Sequence, residues 1–124
     1  MPRVLIVDDE AGIRFALKRW FERQHWAVTE APDGRQALQV IESEAAEMAF
    51  DLIVTDLHLP EIGGDELLMT LRATRPMLAS RVILTTGDAV QDAARGSVLA
   101  THPHVLQKPF DLATLRATVD RILG

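Results

Sequence analysis

Short apolar runs alternate along the chain with longer segments whose apolar residues recur every three or four positions. Residues 3–7 (RVLIV) form a nearly continuous apolar run. Such a run marks a strand covered on both faces, since a strand with one wet face alternates apolar and polar residues. From Glu10 to Gln24, Ile13, Leu17, Trp20 and Phe21 fall at helical spacing, with Arg14, Lys18, Arg19 and Glu22 on the opposite side. Trp26 to Ala31 reads as a second, half-polar strand at the edge of a sheet. Asp33 and Gly34 open a second helix, with Asp33 suited to the N-cap, and Ala37, Leu38, Ile41, Ala45 and Met48 form its apolar stripe.

The alternation continues. Residues 51–55 (DLIVT) predict a third strand ending at Asp56, and the Pro and Gly of 57–64 (LHLPEIGG) predict a loop. A helix follows from Asp65 to Thr74, with Leu67, Leu68 and Leu71 on one side, and Pro76 ends it. Residues 81–85 (RVILT) predict a fourth strand with a turn at Thr86-Gly87-Asp88. Ala89 to Ala100 predicts a weak helix, interrupted by Gly96 and poor in large apolar residues. Val105 to Gln107 predicts a short fifth strand, Lys108-Pro109 a turn, and Asp111 the cap of a last helix through Leu115, Val119, Ile122 and Leu123. A βα unit repeated five times, with no linker or repeat, predicts one α/β domain over 1–124. Right-handed crossovers then give a doubly wound parallel sheet with helices on both faces.

Composition narrows the chemistry. The 124 residues include no cysteine, which excludes disulfides, thiolate metal sites and a cysteine nucleophile, and fits a reducing cytoplasm. The net charge is −5 and the positive residues are dispersed, so no direct nucleic-acid contact is expected. No apolar run approaches the ~20 residues that span a bilayer, so no membrane partner is expected. The opening MPRVLIVDDE passes straight from a strand pattern to acids and does not read as a signal peptide.

Polar residues stand at the carboxyl ends of four strands: Asp8 and Asp9 after the first, Asp56 after the third, Thr86 after the fourth and Lys108 after the fifth. A doubly wound sheet binds its ligand outside these ends, at the topological switch point. Clustered carboxylates repel unless a cation relieves them, and Mg²⁺ suits a site offering a few carboxylates beside phosphate oxygens. A lysine and a hydroxyl can hold phosphoryl oxygens while an aspartate attacks phosphorus. Each element alone has an ordinary structural role, as a turn or helix cap. The full set, in this order, is what indicates a site.

The stretches VLIVDDE, DLIVTDLHLPEIGG, VILTTG and KPF resemble the receiver domain of two-component response regulators, of the chemotaxis-regulator kind, over essentially the whole chain. The resemblance implies a flavodoxin-like (βα)5 fold with strand order 2-1-3-4-5. It implies a signalling switch of a phosphorelay, not a turnover enzyme. Asp56 would accept a phosphoryl group from a histidine kinase or histidine phosphotransfer domain. Asp9 and Asp56 would contact Mg²⁺ directly, Asp8 through a water, and the His58 backbone carbonyl would add a ligand. Thr86 would hydrogen-bond the phosphoryl group and move towards it. Lys108 would pair with a phosphoryl oxygen, and the Lys108–Pro109 bond would be cis. A downstream protein, unidentified from sequence, would bind the face of the fourth helix, fifth strand and fifth helix of a monomer or weak dimer. The ending VLQKPFDLATLRATVDRIL resembles receivers at the C-terminus of hybrid histidine kinases, against the alternative of a stand-alone regulator.

Three positions depart from the family pattern. Val105 stands three residues before Lys108, where an aromatic is usual, so the switch is expected to work through the backbone from Gly87 to His102. His104 beside it reads as a partly exposed loop residue. His58 lies two places after Asp56, where a phosphohydrolase with an aspartate nucleophile would carry an acid/base aspartate, and it reads as a solvated loop histidine.

Overall fold

A computed structural model describes residues 1–44, 49–88 and 93–124. The strands are β1 (Arg3–Val7), β2 (Ala27–Ala31), β3 (Leu52–Asp56), β4 (Val82–Thr86) and β5 (Val105–Gln107). The helices among the described residues are α1 (Ala11–Arg23), α2 (Gly34–Glu42), α3 (Gly64–Thr74), α4 (Pro76–Ala79), α5 (Val98–Thr101) and α6 (Leu112–Leu123). All pairings are parallel, and the strand order is β2-β1-β3-β4-β5, the flavodoxin-like arrangement.

Period-two alternation explains the apolar strand runs. Leu5, Val7, Ile53, Val82 and Leu84 turn to one side of the sheet and meet Ile41 of α2, Leu67, Leu68 and Leu71 of α3, and Leu78 of α4. Val4, Ile6, Leu52, Val54, Ile83 and Leu106 turn to the other and meet Leu17 and Phe21 of α1 with Leu115 and Val119 of α6. Two covered faces keep the central strands mostly apolar, with Thr55 and Thr85 the buried polar residues that precede the ends of β3 and β4. β2 is an edge strand in which only Ala31 is fully buried, as its half-polar pattern predicts.

Local chemistry sets the helix starts. Asp33 accepts a hydrogen bond from the Gln36 N–H at 2.8 Å, and Asp111 accepts from the Thr114 N–H at 2.7 Å, each satisfying a donor that the first turn leaves unpaired. Pro76 does end α3, but it also occupies the first turn of α4, a short helix that the apolar pattern did not predict. The helix expected from Ala89 to Ala100 is corrected: residues 93–97 are not helical, and α5 is the single turn Val98–Thr101, with Ser97 as its cap. Gly96 sits at φ +83°, a left-handed conformation that interrupts any helix running through it. The rest of that expected helix, 89–92, lies outside the described residues, as do Ala45 and Met48 of the second helix's expected stripe.

Candidate functional site

The switch point of the sheet brings the acids together. β1 and β3 pair with Val7 opposite Thr55, and one further step in that register sets Asp8 beside Asp56. On the other side of β3, Asp56 faces Thr85 of β4, and Thr86 in turn faces Gln107 of β5. Lys108 therefore emerges next to the strand ends. Its N–H donates to the Thr86 carbonyl at 2.6 Å, and its bond to Pro109 is cis, as the resemblance implied.

The Lys108 ammonium joins the two buried carboxylates. Nζ donates to Asp8 Oδ2 and to Asp56 Oδ2, each at 3.1 Å. Asp8 is 1% exposed and Asp56 8%. Burial alone would lower the lysine's pKa, but the hydrogen bonds and charges of Asp56 and Asp8 outweigh it and hold the group above its ordinary value. Lys108 is thus a fixed cation between two carboxylates that would otherwise repel.

Asp8 is held on its other sides as well. Its Oδ1 accepts from the Glu10 N–H at 2.9 Å, and its carbonyl accepts from Arg14 Nη1 at 2.6 Å. One carboxylate oxygen from each of Asp8, Asp9 and Glu10 lies within 4.8 Å of the others. Hard oxygen donors at this spacing suit a divalent cation such as Mg²⁺. Glu10 was missed from sequence because it reads as the first residue of the helical pattern that runs from Glu10 to Gln24. It stands at the N-cap of α1, but its side chain makes no capping bond. Asp56 stands across the Lys108 ammonium from Asp8.

The loop after β3 folds tightly over the strand end. The Gly64 N–H donates to the Leu57 carbonyl at 2.8 Å, and a Cβ on Gly64 would sit 2.1 Å from the Asp56 carbonyl oxygen. Glycine is required there by close approach, a constraint that the bare sequence GG did not disclose. The His58 N–H donates to Asp56 Oδ1 at 3.3 Å. The His58 side chain is exposed, as expected, but it is not merely solvated: Nε2 lies 2.6 Å from Asp88 Oδ2. That hydrogen bond raises its pKa, with the charges of Asp88, Asp56 and Asp65 adding to it against partial burial.

Thr86 is fully buried, and its Oγ1 accepts from the Asp88 N–H at 3.0 Å. Asp88 therefore ties the end of β4 to His58 across the mouth of the pocket. By strand alternation Thr86 shares the side of Val82 and Leu84, whereas Asp56 shares that of Leu52 and Val54. A cavity of about 410 Å³ opens between the two loops, lined by Leu57, His58, Asp65, Asp88, Ser97 and Leu99 among others. Val105 is half-buried against the core on the α2–α4 side, and His104 is half-buried before it.

Comparison with known proteins agrees with this fold. The family described as "Response regulator receiver domain" matches residues 4–120. Sporulation initiation phosphotransferase F of Bacillus subtilis is 31% identical over 125 residues, covering 98% of this chain and 93% of its own length. Sensor kinase CckA of Brucella abortus is 34% identical over 120 residues, covering 97% of this chain but 12% of the kinase. The chain spans about half or less of the length of several of these curated relatives, though nearly all of the phosphotransferase. Response regulator protein TrrA of Thermotoga maritima, solved in complex with Mg(2+)-BeF, superimposes with a TM-score of 0.82 at 26% identity, covering 98% of this chain and 99% of TrrA. TrrA has also been solved with histidine kinase ThkA, again at a TM-score of 0.82, with 27% identity and all of both chains covered. With its strand order, its strand-end acids and lysine, and this match over nearly its whole length, the chain belongs to the response regulator receiver domain family.

Proposed function

We propose that Asp56 is the phosphoacceptor of a two-component phosphorelay. The observation that supports this most directly is the Asp8–Lys108–Asp56 bridge, in which one ammonium lies 3.1 Å from both buried carboxylates. A carboxylate oxygen of Asp56 attacks the phosphorus of a phosphohistidine. The P–N bond breaks, the imidazole leaves with the electron pair, and an aspartyl phosphate remains. Lys108 is placed to leave the carboxylate and follow the phosphoryl oxygens, meeting the charge that this transfer concentrates. Asp8, Asp9 and Glu10, with Asp56 and the His58 carbonyl, would hold Mg²⁺, which when bound neutralises phosphoryl oxygens and aligns them for in-line attack. The phosphoryl donor is a histidine kinase or histidine phosphotransfer domain, consistent with the kinase complex of TrrA.

The same reading makes this a switch and not a turnover enzyme. Thr86 Oγ1 accepts from Asp88 and keeps its own hydrogen, which it can donate to a phosphoryl oxygen. Reaching the Asp56 side of the sheet requires Thr86 to draw the Asp88 turn with it. Val105 has one stiff side-chain torsion and cannot report this movement as an aromatic ring would. The signal would therefore travel through the backbone from Gly87 to His102 to a partner face formed by α5, β5 and α6.

With Mg²⁺ and acetyl phosphate, the intact mass should rise by one phosphoryl group in the wild type and not in Asp56→Asn. Labelling that persists in the variant would remove Asp56 from the role. Beryllofluoride should change backbone hydrogen exchange from Gly87 to His102, and Thr86→Val should blunt that change. A response confined to another face would reject this route.

A further inference from the structure

A second buried polar arrangement lies at the opposite end of the sheet and takes no part in the chemistry above. His102 is 7% exposed and forms the C-cap of α5. Its Nε2 lies 2.5 Å from the carbonyl oxygen of Val82, the first residue of β4, whereas Asp56 and Thr86 are last in their strands. β5 begins opposite Leu84, whose N–H donates to the His104 carbonyl at 2.9 Å. On this edge of β4 the Val82 carbonyl precedes the start of β5, and the imidazole takes the place of a strand partner.

Both neighbours of the ring select one protonation state. A carbonyl only accepts, so Nε2 carries the hydrogen. In the neutral ring Nδ1 is then an acceptor, and Arg72 Nη2, which only donates, lies 3.4 Å from it. One neutral imidazole thereby fastens the end of α5 to both β4 and α3.

The charged groups around it are all cationic. Arg72 comes from α3. His104, from the approach to β5, meets the ring edge-on at 5.7 Å, and Arg121 of α6 acts on His104. α4 and the turn after it contribute Pro76, Ala79 and Ser80, none of them charged. Among the described residues no carboxylate acts on the ring. Burial first, then the charges of His104 and Arg72, hold His102 below the ordinary histidine value, offset in part by the Val82 bond. Burial and Arg121 lower His104 likewise.

We propose that His102 is a proton-operated fastening: on protonation Nδ1 turns from acceptor to donor against the Arg72 guanidinium, and α5 with the approach to β5 is released from β4 and α3. The direction follows from linkage. Well above the unfolded-chain pKa of about 6.5, fastened and released forms are both neutral and the fastening is complete. Below it the released form takes up a proton that the fastened form resists. The ratio of fastened to released chains then falls by up to about tenfold per pH unit, until the fastened imidazole itself titrates. The release stands on the His102 geometry alone. Its effect on signalling, through the face that phosphorylation is proposed to alter, rests on the function proposed above.

The test uses the intact, unphosphorylated chain, so it does not depend on the role of Asp56. Imidazole nitrogen and carbon shifts are followed by NMR from about pH 8 to about pH 5, with exchange of the 98–101 amides corrected for intrinsic rates. The expected result is an Nε2–H tautomer at neutral pH, a titration of His102 below its ordinary value, and a loss of protection in α5 that tracks it. His102→Gln supplies an amide donor to Val82 and an oxygen to Arg72, and should abolish the pH response. Arg72→Gln, whose amide oxygen can accept from a protonated Nδ1, should move the His102 titration to higher pH and weaken the loss of protection that accompanies it. The proposal is overturned if His102 titrates at or above the ordinary value, or if α5 stays protected while the ring protonates. It is overturned equally if the response persists in His102→Gln, which would assign it to His104. Should His102→Gln not fold, the wild-type titration and the Arg72→Gln shift still decide.

Discussion

Replacing Lys108 with methionine removes the ammonium and keeps most of the side chain's volume, so the change isolates charge. At 3.1 Å each carboxylate attracts the ammonium by about 5 kcal/mol at an effective dielectric constant near 20, before the cost of burial is subtracted. Removing one partner of a buried ion pair typically costs about 3–5 kcal/mol, because the other partner stays buried without its counter-charge. Here the Lys108 side chain is 20% exposed, so water partly replaces it and the lower end, about 3 kcal/mol, is expected. For a domain of 124 residues that is a fall in Tm on the order of 10 °C. The pH dependence makes the test specific. Without Lys108, Asp8 and Asp56 repel at close range, and the folded chain binds a proton more readily than the unfolded one. Acidification from about pH 7 towards about pH 5 should therefore favour the folded variant and narrow its deficit against the wild type. Urea denaturation of both proteins at the two pH values provides the measurement. A deficit that is absent, or one that widens on acidification, would refute the idea that Lys108 neutralises this carboxylate pair.

Two further outcomes follow from the pocket. Mg²⁺ should raise the Tm of the wild type by mass action, and the gain should shrink in Asp9→Ala and in Glu10→Gln. An equal gain in all three proteins would place the cation elsewhere. Gly64→Ala should lower stability by about 2 kcal/mol in urea denaturation, because the added Cβ meets backbone 2.1 Å away at the Asp56 carbonyl and neither side can yield easily. Unchanged stability would mean that the loop after β3 has room the structure does not show.

The fold was legible wherever burial acts on a whole segment. VLIV of β1 and LIV of β3 are apolar on both faces of their strands because helices cover both sides of the sheet, and that demand leaves its mark along the whole run. Asp33 and Asp111 were legible as caps because a first turn always leaves donors to satisfy, whatever surrounds it. α4 was not, because four residues are too short to show a period. The helix expected over 89–100 gave way at 93–97, where left-handed Gly96 outweighs the weak apolar pattern around it.

The sequence by itself determined that Asp8, Asp56, Thr86 and Lys108 stand at strand ends along one edge, since polar groups at the ends of apolar strands are carried to one edge by any parallel sheet of this order. Only the tertiary structure decided how those residues engage one another. That Lys108 bridges Asp8 and Asp56 depends on strand register and on residues 100 and 52 positions apart. That Glu10 joins Asp8 and Asp9 depends on its side chain not capping α1. That His58 finds Asp88, and His102 finds Val82 and Arg72, depends on loops brought together by packing. Burial writes itself into a sequence as a pattern repeated along each element, whereas a hydrogen bond between distant side chains involves single residues and leaves no period to read.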